Sequence, residues 1–424
     1  MDKNWIKNYE ELATTENRKL ALDIVNVGYN SISTENVIIN SIKIENNFLY
    51  INDQSFDLSK FSNIKVVGFG KASCQAALAL EKVLGDRIKE GAVIGLTKVD
   101  CTYIETFAGT HPRPSVVNIE AGEKIFKIAN ESKEDDLIIA IVSGGGSALL
   151  CYSKTECNDG IKLYDEFLKS GKTTIEMNTV RKHISVLKGG GLAKIAYPAT
   201  VIGLIFSDLP GEHFENVASG PTYKDESIVS DAQAIIDTNN LGEFNLIETP
   251  KDDKYFEKTH NFVLVSNETA VYAMEKRARE LGFMTKVFST ELYDETEEAL
   301  HKIFNEESNN TVVLSAGEPK LIVKKKGGSG GRNLYMSLEE IKLKMIDNDS
   351  VFISLASDGM DNSDAAGAIV DKQTLDKIEK LNIDVDDYLE RYDAYPVFKE
   401  SGDMIITGPT GANVSDLMIL LTRK

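Results

Sequence analysis

Apolar and polar residues follow two rhythms along this chain. Short runs of branched apolar residues, KVVGFG (65–70), AVIGL (92–96), LIIAIV (137–142), TVIGLIF (200–206), FVLV (262–265), TVVLS (311–315) and VFISLA (351–356), have the length and composition of buried strands. Stretches between them, such as ASCQAALALEKVL (72–84), place apolar residues at helical spacing, and a helix is expected over roughly 10–33. This alternation predicts α/β layers with largely parallel sheets. Between residues 238 and 260 the rhythm gives way to a polar stretch containing Gly242 and Pro250. A boundary there divides the chain into a larger domain over 1–250 and a smaller one over 251–424, as a length of 424 residues favours two cores over one.

Composition narrows the class. No run of eighteen apolar residues occurs and the first twenty residues are too polar for a signal peptide, so a soluble protein of the cytoplasm is expected. The net charge of -19 disfavours nucleic acid and anionic membranes as partners, but leaves room for a local basic pocket that holds a small anion. Cys74, Cys101, Cys151 and Cys157 form no CxxC pair and have no His at ligand spacing, which argues against structural zinc or a disulfide framework and for idle or buried thiols.

Candidate chemistry gathers where strands end. LIIAIVSGGGSALL runs from a strand through Ser143, Gly144, Gly145, Gly146 and Ser147 into helix-forming residues. The glycines either serve a tight turn alone or let several backbone N–H groups converge on an anion. KVVGFGKAS repeats the layout, with Lys71 at the mouth of a helix, where the helix dipole disfavours a cation unless an anion is near. It is neither a phosphate-binding GxxxxGK[ST] loop nor a complete GxGxxG. In GTHPRPSVVN, two prolines fix the turn that carries His111, either for structure alone or to set His111 behind the site as a supporting group. Read as one helix, MNTVRKHISVLKGGGLA sets Asn178, Arg181, Lys182 and Ser185 on one face and ends in Lys188 before three glycines, a concentration of cations that suits a bound anion. Asp208 directly follows the strand TVIGLIF, a position where open α/β sheets place ligand-contacting residues.

The second half offers Glu318, then Lys324 to Lys326, then a glycine-serine loop including Gly330 that leads to Arg332 and Asn333. SLASDGMDNSD follows with Asp358, Asp361 and Asp364, whose spacing misplaces the glycine and glutamate of a calcium loop. A magnesium ion borne by a nucleotide is the better expectation. ITGPTGANVSDL supplies Thr407, Thr410 and Asn413.

Taken in order, GFGKA, GTHPRP, SGGGSALL, MNTVRKHISVLKGGGLA, SDLPGEHFENVASGPT, GGRN, SDGMDNSDAAGAIVD and TGPTGANVSDL resemble the glycerate 2-kinase family over nearly the whole chain. The resemblance implies a large Rossmann-like domain and a smaller C-terminal α/β domain known as MOFRL, with the active site in the cleft between them. It also implies phosphorylation of D-glycerate at its 2-hydroxyl, with ATP and Mg²⁺ as nucleotide and metal. Lys71, Arg332 and Asp208 are the expected catalytic residues. Ser143, Gly144, Gly145, Gly146, Ser147, Asn178, Arg181 and Lys188 are expected around substrate or phosphate. Glu318, Gly330, Asn333, Asp358 and Asn413 are expected at the nucleotide, with Asp208 and Asp358 available to metal. Where the family carries Gly-Gly-Glu-Thr-Thr this chain has AGEPK, and its Gly-Thr-Asp-Gly is here ASDG, departures that touch substrate detail. A homodimer is among the expected states. The alternatives are an NAD(P)H-dependent hydroxypyruvate reductase, which the incomplete GxGxxG disfavours, and a kinase for another small hydroxy acid.

Overall fold

The computed structural model describes residues 3–170, 174–324 and 327–423, so Lys325 and Lys326 of the expected cation run lie outside the described residues. The chain forms two compact units. One, here the central unit, comprises Thr34–Ser207 and His213–Leu264. The other, the terminal unit, comprises Met1–Ser33, Asp208–Glu212 and Val265–Lys424.

In the central unit six strands lie in the order Glu105–Ala108, Ile88–Gly95, Asn63–Phe69, Asp136–Ser143, Thr200–Phe206, Thr259–Val265. Numbered along the chain this is 3-2-1-4-5-6, the doubly wound order that turns back on itself between strands 1 and 4. Those two strands are parallel, with Val66 opposite Ile139 and Phe69 opposite Val142. Every residue of Asp136–Ser143 is buried, as expected of a strand covered on both faces. A subsidiary core brings Leu163, Val180, Ile184, Ala232, Ile236 and Leu241 together.

That core explains why the boundary is not at residue 250. Leu241 belongs to it, Phe244 and Leu246 pack against it, and the Ile247 amide donates to the His183 carbonyl at 2.7 Å. The polar 238–260 stretch is therefore part of the central unit, and the break follows Leu264.

The terminal unit departs from the expected domain at its other end as well. Its helix Glu16–Ser31, expected with the large domain, carries Arg18, fully buried, against Asp371 at 2.6 Å and Asp403 at 2.8 Å. Tyr29 donates its hydroxyl to the Ala356 carbonyl, and the bare Gly28 leaves room for Met274, whose sulfur would stand 2.8 Å from a Cβ there. The sheet runs Met284–Leu292, Thr311–Gly317, Asp416–Thr422, Ser350–Ala356, Gly367–Asp371, Met404–Ile405. Only the first pair is parallel; the rest are antiparallel, contrary to the expectation of largely parallel sheets. Two of these pairs arise because the final strand inserts between two earlier ones, so that Ile419 faces Leu314 on one side and Ile353 on the other, and the other two because the chain turns back after Ser350–Ala356 and again before Met404–Ile405.

Candidate active site

The turn of strand order in the central unit brings the two glycine loops side by side. Hydrogen bonds join them: Lys71 N donates to Gly144 O at 2.8 Å, Ala72 N donates to Ser143 Oγ at 3.2 Å, and the Ser73 and Ser143 hydroxyls are 3.1 Å apart. Gly70 has φ +126°, and a side chain there would collide with Ser143. Ser143 thus fastens the Lys71 loop and is not exposed to a ligand, being 1% accessible. On the second loop, Gly145 has φ +76°. A Cβ added to it would stand 3.0 Å from Lys71 Cγ and 3.3 Å from His111 Nε2, and one on Gly146 would meet the Ala218 methyl at 2.6 Å. The small residues are needed because side chains from three directions close over this turn. No described residue accepts a hydrogen bond from the amides of Gly144 to Ser147.

Two cations around this turn are unmatched. Neither Lys71 nor Arg181 forms an ion pair with any described residue. Arg181 lies on the helix Thr174–His183. Burial lowers its pKa to about 10, with nearby Tyr164 opposing, so it stays cationic at neutral pH. His111 completes the group: crowding by neighbouring atoms, then the charges of Lys71 and Arg181, lower its pKa to about 4, although the side chain is solvent-exposed. It is a neutral imidazole beside two cations, closer to the site than the supporting role expected.

The other expected cations are spoken for. Lys188 is buried and donates to Glu156 at 2.6 Å and to the Leu150 carbonyl at 2.8 Å, so its charge is matched within the fold. Lys182 pairs with Asp225 at 3.1 Å. The helix stops at His183, which leaves Ser185 off the expected face; its hydroxyl instead accepts from the Leu187 and Lys188 amides. Asn178 is buried and accepts from Ser219 Oγ at 3.2 Å, and Ser219 in turn lies 2.8 Å from Ser147 Oγ, a hydroxyl chain that fixes the glycine loop. Asn118 was not among the expected site residues. Its amide oxygen accepts from the amides of Thr110 and Ser115 while its nitrogen donates to Leu149 O, tying the His111 turn to the end of the SGGGSAL segment. The signal was the asparagine that closes GTHPRPSVVN.

Cys151 and Cys157, expected as idle thiols, are joined as a disulfide with Cα atoms 5.7 Å apart. The helix Lys154–Ser170 begins between them and folds the two back together. They line a small pocket with Ser147, Arg181 and Lys188, with room for about one water. Cys74 and Cys101 remain thiols, with pKa values pushed up by burial to about 12 and about 11.

The terminal unit gathers a second polar group. Arg332 opens the helix Arg332–Leu343 and contacts both Asp416 and Glu318, the latter at 3.3 Å. Burial raises the Asp416 carboxyl to about 7 against the pull of Arg332. Asn333 is buried, and its side chain donates to Asp361 and accepts from Ser354. Asp361 also accepts from the amides of Gly331, Asn333 and Leu334. Gly330 has φ +102°. Asp358 accepts from the Met360 amide at 3.0 Å, and Asn413 from the Ser415 amide at 3.2 Å. Asp208 follows the strand Thr200–Phe206 and is half-buried. Among the described residues no three His, Cys, Asp or Glu side chains gather as metal ligands, and no helix is long and apolar enough to cross a membrane.

A family model described as a domain of unknown function (DUF4147) matches residues 20–248, and the MOFRL family model matches residues 311–416. A glycerate 2-kinase of Pyrococcus horikoshii is 31% identical in an alignment that covers 95% of this chain and 97% of that protein. This chain belongs to the glycerate 2-kinase family. A D-glycerate 2-kinase of Thermotoga maritima is 33% identical over 84% of this chain and 89% of its own length. The fold agrees with the crystal structure of a Thermotoga maritima glycerate kinase at a TM-score of 0.83 and 28% identity, covering 95% of this chain and 99% of that one. A Pyrococcus horikoshii crystal structure gives 0.80 at 29% identity, covering 97% and 99%. Within the glycerate 2-kinase family pattern, the two unmatched cations of the central unit and the carboxylate-matched Arg332 of the terminal unit are distinct kinds of polar centre.

Proposed function

We propose that this chain transfers the γ-phosphoryl group of ATP to the 2-hydroxyl of D-glycerate, giving 2-phosphoglycerate and ADP. The observation that carries this reading is the pair of unmatched cations, Lys71 and Arg181, around a glycine turn with unclaimed amides, in a chain whose net charge is -19. Such a turn is built for a small anion. In the proposed roles Arg181, with the Gly144 to Ser147 amides, holds the glycerate carboxylate, and Lys71 draws charge from the moving phosphoryl group. Asp208 orients the reacting hydroxyl, and Arg332 serves the nucleotide phosphates. The 2-hydroxyl oxygen bonds to the γ-phosphorus as the bond to the β,γ-bridging oxygen breaks, and the hydroxyl proton is released.

Among the described residues the donor set does not suit a metal caged by protein, but it does suit Mg²⁺ that arrives on a nucleotide and needs only one or two carboxylates. Asp208 and Asp358 would hold it, and when bound it would offset phosphate charge. The reductase alternative is disfavoured by the Lys71 loop. The amides of Gly70, Lys71, Ala72 and Ser73 already donate to Ile94 O, Gly144 O, Ser143 Oγ and Gly70 O, which leaves none for a dinucleotide pyrophosphate.

Phosphorus NMR of a reaction with D-glycerate and MgATP should show 2-phosphoglycerate. A 3-phosphate product overturns the regiochemistry. NADH oxidation with hydroxypyruvate, and no ADP from any small hydroxy acid, overturns the kinase reading.

A further inference from the structure

The glycine-serine loop before Arg332 resembles a phosphate cradle in composition, yet three of its amides, those of Gly328, Ser329 and Gly331, are already engaged. Gly328 N donates to Arg391 O at 3.0 Å, Ser329 N donates to Asp393 Oδ1 at 2.8 Å, and Gly331 N donates to Asp361 Oδ2 at 3.1 Å. Asp361 also accepts from the amides of Asn333 and Leu334 in the first helical turn. Two carboxylates, Asp361 and Asp393, therefore occupy the positions that a phosphate would need, and they repel one.

The same loop nevertheless borders a cavity of about 310 Å³ in the terminal unit. Its walls are the backbone of Gly327, Gly328 and Gly330 and the side chains of Tyr335, Tyr392 and Asn362. The two tyrosine rings are stacked, with centroids 5.7 Å apart and planes 21° from parallel. Tyr392 is itself held in place: its hydroxyl donates to Ile322 O and accepts from Lys324 N. The Asn362 side chain, exposed on the rim, has no hydrogen-bond partner among the described residues. Flat glycine backbone, a fixed aromatic face and one free carboxamide suit an uncharged planar heterocycle that offers both donors and acceptors at its edge.

We propose that this cavity seats the heterocyclic base of the nucleotide, stacked on the Tyr335–Tyr392 pair with its edge read by Asn362. The proposal rests on the kinase reading in taking a nucleotide as the donor. The phosphates lie outside the cavity, away from Asp361 and Asp393.

Calorimetry with adenosine and with inorganic tripolyphosphate separates the base from the phosphates, and does not require turnover. Tyr335→Leu should weaken adenosine about tenfold or more, the usual effect of losing a stacking partner, while tripolyphosphate binding stays unchanged. Val323→Trp provides a second variant: Val323 is 50% exposed, so the fold tolerates the change, and the indole would fill the cavity mouth and block adenosine. Wild-type protein that binds no adenosine at millimolar concentration overturns the proposal. So do folded variants that bind adenosine normally, or that lose both ligands equally. Failure of the kinase reading would appear separately, as glycerate-independent ADP production or none.

Discussion

Two cationic centres in this molecule are built on opposite electrostatic plans. In the central unit Lys71 and Arg181 have no carboxylate among the described residues, and the imidazole between their fields is driven neutral. In the terminal unit Arg332 contacts two carboxylates, and the nearest buried acid, Asp416, is itself pushed up to about 7. A crowded cation left unmatched, as Arg181 is, gives up solvation that a bound anion would offset. A cation already matched is positioned by the fold and is available for geometry more than for net charge. Under the proposed function this difference would suit the central unit to anion capture and the terminal unit to orienting a nucleotide that brings its own counter-ion.

The strongest way to break this contrast is Lys71→Ala. If Lys71 acts on charge that develops during transfer, kcat should fall on the order of 10²–10³, as on loss of one preorganised donor. The melting temperature should hardly move, since no protein partner is orphaned. Arg332→Ala, by contrast, should lower the melting temperature visibly, because Asp416 and Glu318 lose their shared partner. Steady-state kinetics beside thermal melts decide it: near-normal kcat/KM in folded Lys71→Ala, or equal destabilisation by the two variants, would remove the distinction.

Arg181→Ala sharpens the picture at one remove. A cation that holds the carboxylate equally in ground and transition states should raise the glycerate KM by roughly 10- to 100-fold, the range of a charge-assisted hydrogen bond, with kcat little changed. Arg181→Lys should recover only part, because a single ammonium cannot reproduce a forked contact. A fall in kcat at constant KM would move Arg181 from substrate binding to the transferring group.

Much of the central site was legible because its determinants are local. A strand, a glycine turn and a cation at the helix mouth can be read from nine residues, as at Lys71, and Arg181 follows from the spacing of cations along a single helix. What escaped involves partners distant in sequence. Nothing near Lys188 announces that Glu156, thirty-two residues earlier, neutralises it, and nothing near Gly331 announces that Asp361 will cap its helix. The parallel-sheet expectation failed partly for the same reason: DLMILLT reads as a buried strand, but its direction in the sheet is set by which earlier strands it enters between. Arg18 shows the limit for domain boundaries, since a lone arginine in an amphipathic helix does not reveal that its carboxylates lie more than 350 residues away.

The smallest expected effect is the most direct probe of the unmatched charges. His111 titrates near 4 because of crowding first, then Lys71 and Arg181. Since its folded value lies below the ordinary 6.5, the folded chain binds fewer protons than the unfolded chain between about pH 4 and 6.5. Stability therefore rises with pH through that window, and His111 works against the fold as the solution is acidified. Removing one neighbouring cation should raise the midpoint, by about one unit if Lys71 acts at close range. With only five histidines in the chain, the imidazole signals can be resolved by NMR and His111 assigned by its absence in His111→Gln. The expected series is a midpoint near 4 in the wild type, higher in Lys71→Ala and higher again when Arg181 is also replaced. A wild-type midpoint near 6.5 would mean that the two cations do not face the imidazole in solution, and an unchanged midpoint in Lys71→Ala would leave crowding as the sole cause and detach His111 from the anion site.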